Sequence, residues 1–87
     1  MKVTLTWGAN EKILQFPDQQ ALTVGQALLS LGPTQPEVVK QWCDGQGRLK
    51  ASLPAFVNDT HVRYLDGWET VLQDGDRLHV IPLVTGG

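Results

Sequence analysis

The chain has a single cysteine, Cys43, in 87 residues, so an internal disulfide framework is excluded and a cysteine-based structural zinc site has no ligand set. Basic clusters are missing too. Four lysines and three arginines are scattered singly through a chain of net charge −2, and no stripe exists to follow a phosphate backbone, so no nucleic acid is expected as partner. Apolar runs last only a few residues, far short of the roughly 20 that cross a bilayer, and no membrane partner is expected either. Met1-Lys2-Val3-Thr4-Leu5-Thr6-Trp7 alternates from the start and holds no apolar signal core, which makes a cytoplasmic location the expectation. Internal repeats, low-complexity segments and linkers are also lacking. What remains is 41% hydrophobic residues, enough for a compact core. The length is that of one domain, able to bury about 60–70% of the surface of its unfolded form.

Val3, Leu5 and Trp7 alternate with polar neighbours, the period of a half-buried strand. Gly8-Ala9-Asn10 reads as a turn and Lys12 to Phe16 as the returning strand of a hairpin. Thr23 is an N-cap with Gln26 three positions on, a capping-box arrangement. Val24, Ala27, Leu28 and Leu31 then form one apolar helix face, and Gly32-Pro33 stops the helix. Pro36 to Trp42 reads as a second helical turn with Val38, Val39 and Trp42 inward. Leu53 to Val57 reads as a strand, Asn58-Asp59-Thr60 as a turn, and His61 to Tyr64 as its return. Asp66-Gly67 is a further turn, and Asp74-Gly75-Asp76 launches a final strand from Arg77 to Ile81. One main helix crossing a mixed sheet would bury these faces. This is the α+β architecture called β-grasp, with the last strand beside the first, although other small α+β folds share the order of elements.

The chain ends on Gly86-Gly87, directly after the strand-like run Arg77-Leu78-His79-Val80-Ile81-Pro82-Leu83-Val84-Thr85. The expected division is a domain over residues 1–82 and a flexible tail over 83–87. Fully extended, Leu83 to Gly87 would reach roughly 16–18 Å, at about 3.3–3.6 Å per residue. A carboxylate held out on so thin an arm suits chemical modification by another protein. Glycine, with no Cβ, suits passage through a narrow site.

Phe56-Val57-Asn58-Asp59 with Val62-Arg63, then Leu72-Gln73-Asp74-Gly75-Asp76-Arg77-Leu78, then Ile81-Pro82-Leu83-Val84-Thr85-Gly86-Gly87 together resemble the ubiquitin-like sulfur carrier proteins. The likeness is strong over residues 53–87 and mainly topological over 1–52. It is nearest to the cysteine-biosynthesis branch, through the Val-Asn-Asp-x-x-Val-Arg run and the length from Tyr64 to Val71. Molybdopterin synthase small subunits usually have a shorter connection there and often a double proline before the tail, where this chain has Leu83. The resemblance implies a protein co-substrate, not an enzyme. Its Gly87 would be adenylated by a ubiquitin-activating-type enzyme and converted to a thiocarboxylate by a sulfurtransferase or persulfide donor, with Gly86 beside it. It implies no cofactor bound by the chain, ATP being used by the activating partner. The acceptor would be a cysteine synthase homologue, with a zinc peptidase downstream, or the large subunit of molybdopterin synthase. A protein modifier joined through Gly87 is a further reading. By strand alternation, Arg77, His79 and Ile81 share one face of the last strand. With Leu83, Val84 and Thr85 they are expected to form the partner-binding patch.

Other residues carry less. A lone Cys43 beside Trp42 reads as a small core or loop residue, although a persulfide acceptor has the same residue type. His61 and His79 lack a third ligand, so no metal is expected, and His79 reads as a sheet-surface residue. The three tryptophans read as packing, with Trp68 the one that an interface could use. Asp66, Glu69, Asp74 and Asp76 read as solvated turn residues, since nothing creates a pocket for paired carboxylates.

Overall fold

The computed structural model describes residues 1–18 and 21–81. The expected boundary between residues 82 and 83, and the tail itself, lie outside the described residues. Strand β1 (Lys2–Trp7) and β2 (Asn10–Gln15) form the N-terminal hairpin. Trp7 pairs with Asn10, so the loop is Gly8-Ala9 alone, and Asn10 belongs to the returning strand instead of the turn. Gly8 sits at φ 58, and two-residue hairpins that match strand twist need a positive φ at this position.

Helix α1 (Val24–Leu29) starts at the expected capping box. The Thr23 hydroxyl accepts from the Gln26 N–H, and the Gln26 side chain accepts from the Thr23 N–H. Val24, Ala27, Leu28 and, just beyond the helix, Leu31 are all buried, as the i, i+3, i+4, i+7 spacing requires. Helix α2 (Pro36–Trp42) has proline in its first turn, where the missing N–H costs nothing. Its Trp42 is buried, with the Trp7 ring edge-on at 6.1 Å between centroids, while Val38 and Val39 pack half-buried against the core.

Strand β3 (Ala55–Val57) is shorter than the expected Leu53 to Val57. Pro54 has no N–H for the ladder, but its carbonyl accepts from the Ile81 N–H. Strand β4 (Thr60–His61) is followed by a 3₁₀ turn over Val62–Tyr64, which corrects the expected strand from His61 to Tyr64. The His61 Nδ1 accepts from the Arg63 N–H at 3.0 Å, and this local side-chain bond competes with the ladder. A second 3₁₀ turn covers Gly67–Glu69, and β5 is Arg77–Val80.

The sheet order is β2-β1-β5-β3-β4, with β5 parallel to β1 and the other pairs antiparallel. The last strand therefore lies beside the first, and the helices cover one face. The core of Val3, Leu5, Val24, Leu28, Leu31, Leu78 and Val80 is sealed from solvent. Gly25 permits the helix to approach the second 3₁₀ turn. A Cβ there would lie 3.2 Å from the Trp68 carbonyl oxygen and 3.3 Å from its Cβ. This close approach holds Trp68 half-buried against the core.

Candidate functional site on the outer face of the sheet

Inward Leu78 and Val80 leave Arg77 and His79 on the outer face of β5. Arg77 is exposed and His79 half-buried, and Ile81 follows them 42% exposed. Three expected patch residues are thus surface residues on or just past one strand. Leu83, Val84, Thr85, Gly86 and Gly87 lie outside the described residues.

The start of β5 is fixed by a network of short polar side chains. The Asp74 carboxylate accepts from the Lys2 N–H at 2.7 Å, and the Gly75 N–H donates to the Lys2 carbonyl at 2.8 Å. Asp76 accepts from the Gln73 N–H at 2.8 Å and from the Asn58 amide at 3.3 Å. Asn58 in turn donates its N–H to the Arg77 carbonyl at 2.7 Å and accepts from the Arg77 N–H at 3.2 Å. Asn58 holds φ 56, a conformation Asn tolerates better than most side chains. The Asp-Gly-Asp motif and the Asn after β3 are therefore alignment devices: they set the register in which β5 enters the sheet.

Beside Arg77 and His79 lies an open groove of about 510 Å³, lined also by Thr6, Phe56, Asn58 and Asp59. His79 Nδ1 and Thr6 Oγ1 are hydrogen-bonded at 2.5 Å. Among the described residues, Nε2 of that ring has no hydrogen-bond partner. Arg77 comes within 4.0 Å of Glu11, both well exposed, a pair of small energetic weight. Thr6 and Phe56 were not legible as site residues. Alternation puts each on an outward face, but only the pairing of β5 with both β1 and β3 brings them to His79.

The remaining candidates separate from this face. Cys43 caps the C-terminus of α2 half-buried; burial, then the Asp44 carboxylate, pushes its thiol up, which disfavours the reactive thiolate. Trp68 lines a different, more apolar groove with Leu29, Leu49 and Ala51, on the helical layer. Asp66 caps the start of the second 3₁₀ turn and Glu69 is its last residue. Among the described residues no group of three His, Cys, Asp or Glu could hold a metal ion, and no helix is long and apolar enough to cross a membrane.

The ThiS family model matches residues 9–87. The chain belongs to the ThiS family. A protein of Archaeoglobus fulgidus named "Putative sulfur carrier protein" is 32% identical over 87 residues, covering 100% of this chain and 98% of that one. The small archaeal modifier protein 1 of Methanosarcina acetivorans superposes with a TM-score of 0.68 at 28% identity, over 99% of this chain and 96% of the other. The BexX/CysO complex of Amycolatopsis orientalis contains a chain matching with a TM-score of 0.70 at 25% identity, over 98% of this chain and 99% of that one. This ThiS-family chain thus has the ubiquitin-like β-grasp fold expected from its sequence, and it is of the sulfur-carrier or ubiquitin-like-modifier kind.

Proposed function

We propose that this ThiS-family protein carries sulfur on the carboxyl group of Gly87. The supporting observation is the family match, which runs through the two glycines to residue 87. A free carboxylate resists nucleophiles, so it must be activated first. A ubiquitin-activating-type partner would join a Gly87 carboxylate oxygen to the α-phosphorus of ATP, releasing pyrophosphate. Sulfide would then attack the carbonyl carbon and expel AMP, leaving a thiocarboxylate. With a persulfide donor, the resulting acyl disulfide needs a thiol to reduce it. The thiocarboxylate anion is the nucleophile delivered to the acceptor, as thiolates are the reactive form of thiols. Cysteine formation is the preferred destination, favoured by the residues that resemble that branch. The acceptor there is a cysteine synthase homologue.

The test is intact mass spectrometry after incubation with the adenylating enzyme, ATP and sulfide. The expected gain equals replacement of one oxygen by sulfur. No gain, with an enzyme shown to be active on another carrier, would sink the reading. Ligation to proteins is the second reading, favoured by the likeness to the archaeal modifier. It expects instead whole-chain additions on target lysines.

In this reading Ile81, with Arg77 and His79 beside it, contacts the partner while the tail enters the partner's cleft. An apolar residue 42% exposed at the end of the last strand suits such an anchor. Ile81→Asp is expected to weaken binding to the adenylating enzyme at least tenfold, about 1.4 kcal/mol, with an unchanged melting temperature. Wild-type affinity in a titration would remove Ile81 from the contact.

A further inference from the structure

The two outer edges of the sheet differ in kind. On one side β4 is two residues long and gives way to the 3₁₀ turn over Val62–Tyr64, which offers an added strand little to pair with. On the other side β2 runs for six residues with no proline or glycine. The phase of its ladder is fixed by the Phe16 N–H, which donates to the Met1 carbonyl at 2.9 Å. Bonded pairs alternate along an antiparallel ladder, so Leu14, Lys12 and Asn10 turn their backbone groups toward β1. Glu11, Ile13 and Gln15 turn theirs away, and among the described residues no hydrogen bond satisfies these groups. Ile13 is also 61% exposed, on the outer face of the sheet, opposite in the pleat to buried Leu14.

An unpaired edge is a template for another strand, and the sequence of β2 is complementary to itself. Two copies related by a two-fold axis at Ile13 would pair Ile13 with the partner's Ile13, and each Glu11 with the partner's Gln15. All of these are outward-turned residues, so each pair exchanges two N–H···O bonds, about six in all. The two isoleucines cover each other, and each Glu11 faces an amide instead of another acid. On the inner face Lys12 lies opposite the partner's Leu14. The other symmetric registers are worse. Centring on Lys12 sets like charges directly opposite, which is destabilising. Centring on Leu14 carries Glu11 past the strand to the partner's Pro17, which has no N–H to donate. A slip of one residue sets outward groups against inward ones and reverses the faces.

We propose that two copies of this chain associate through β2, joining their sheets antiparallel across a two-fold axis at Ile13. The contact closes on itself: β4 supplies no second edge of the same length, so growth stops at the dimer. Edge pairing with one aliphatic contact stays below the roughly 1,200 Å² that stable interfaces bury, which makes the dimer weak and dependent on concentration. Strand β1 separates the joined edge from β5, so His79 and Ile81 stay outside the contact. The inference is independent of the sulfur-carrier reading.

The experiment is sedimentation equilibrium of the full chain from micromolar to millimolar concentration, where monomer is expected to give way to dimer. Ile13→Lys sets like charges opposite each other at the axis and is expected to weaken the dimer Kd at least about tenfold. Ile13 is exposed, so its melting curve should match wild type. Ile13→Pro removes the N–H of both central bonds without touching the β1 ladder and should weaken the dimer likewise; if that variant fails to fold, Ile13→Lys decides. Gln15→Lys brings a positive charge opposite each Glu11 and is expected to tighten the Kd about threefold. Val71→Lys, a comparable change at an aliphatic residue 57% exposed elsewhere, should associate as wild type. A wild-type chain that stays monomeric at millimolar concentration overturns the proposal and leaves the edge to a strand of another protein. A dimer that survives Ile13→Lys overturns it in favour of a different surface, and equal weakening by Val71→Lys overturns it in favour of unspecific association. Failure of Gln15→Lys to tighten the dimer overturns the register.

Discussion

A chain lengthened by one residue after Gly87 is expected to gain no sulfur mass and to support no ATP–pyrophosphate exchange. The added residue turns the Gly87 carboxylate into an amide, which cannot take the adenylate. The new carboxylate is displaced by about 3.3–3.6 Å along an extended chain. A misplacement of about 1 Å can already cost about a hundredfold in rate. Gly86→Val should have a similar effect while keeping the carboxylate in place. A β-branched side chain excludes positive φ and brings two extra methyl groups to a passage that must admit backbone and nucleotide together. Exchange should fall at least about a hundredfold on the same positioning argument. Both changes lie beyond Val80, the last buried residue among those described, so melting temperatures should be unchanged. Normal exchange in either variant would show that the glycine pair is not the reacting end.

How much of this was legible in the sequence depends on the range of the interaction. The start of α1 was readable because Thr23, Gln26 and the Val24, Ala27, Leu28 and Leu31 spacing all act within two turns of chain. The placement of β5 beside β1 came from the β-grasp architecture that the order of elements suggested, not from a local pattern. His61-Val62-Arg63-Tyr64 misled because its alternation fits a strand, yet the His61 imidazole captures the Arg63 N–H and turns the chain. Thr6 and Phe56 were invisible as site residues for a different reason. Their proximity to His79 comes from strand order, a property of the whole sheet that no local pattern carries. Asp74 and Asp76 were rightly read as turn residues, but their bonds to Lys2, Gln73 and Asn58 span both local and distant chain.

Leu28→Ala is expected to lower stability by about 3 kcal/mol, within the range found when a buried leucine is truncated. Leu28 is 0% exposed in the core cluster that also holds Leu5, Leu78 and Val80. The lost methyl groups would leave a cavity between helix and sheet, because both layers are fixed by other contacts: α1 by its capping box and the Gly25 approach, β5 by ladders on both edges. For a domain of this size each 1 kcal/mol moves the melting temperature by roughly 4–8 °C, so a drop of at least about 12 °C follows. Small domains have total stabilities of about 5–15 kcal/mol, so this one change removes a large share. Val80→Ala, equally buried on β5, should cost somewhat less because fewer atoms are removed. Leu29→Ala, one residue along the helix but 43% exposed, should stay within about 0.5–1 kcal/mol of wild type. Thermal melts in which Leu28→Ala and Val80→Ala both shift by less than Leu29→Ala would mean that the helix does not present this face to the sheet. The groove on the other side of that sheet would then lose the support that holds His79 and Phe56 outward.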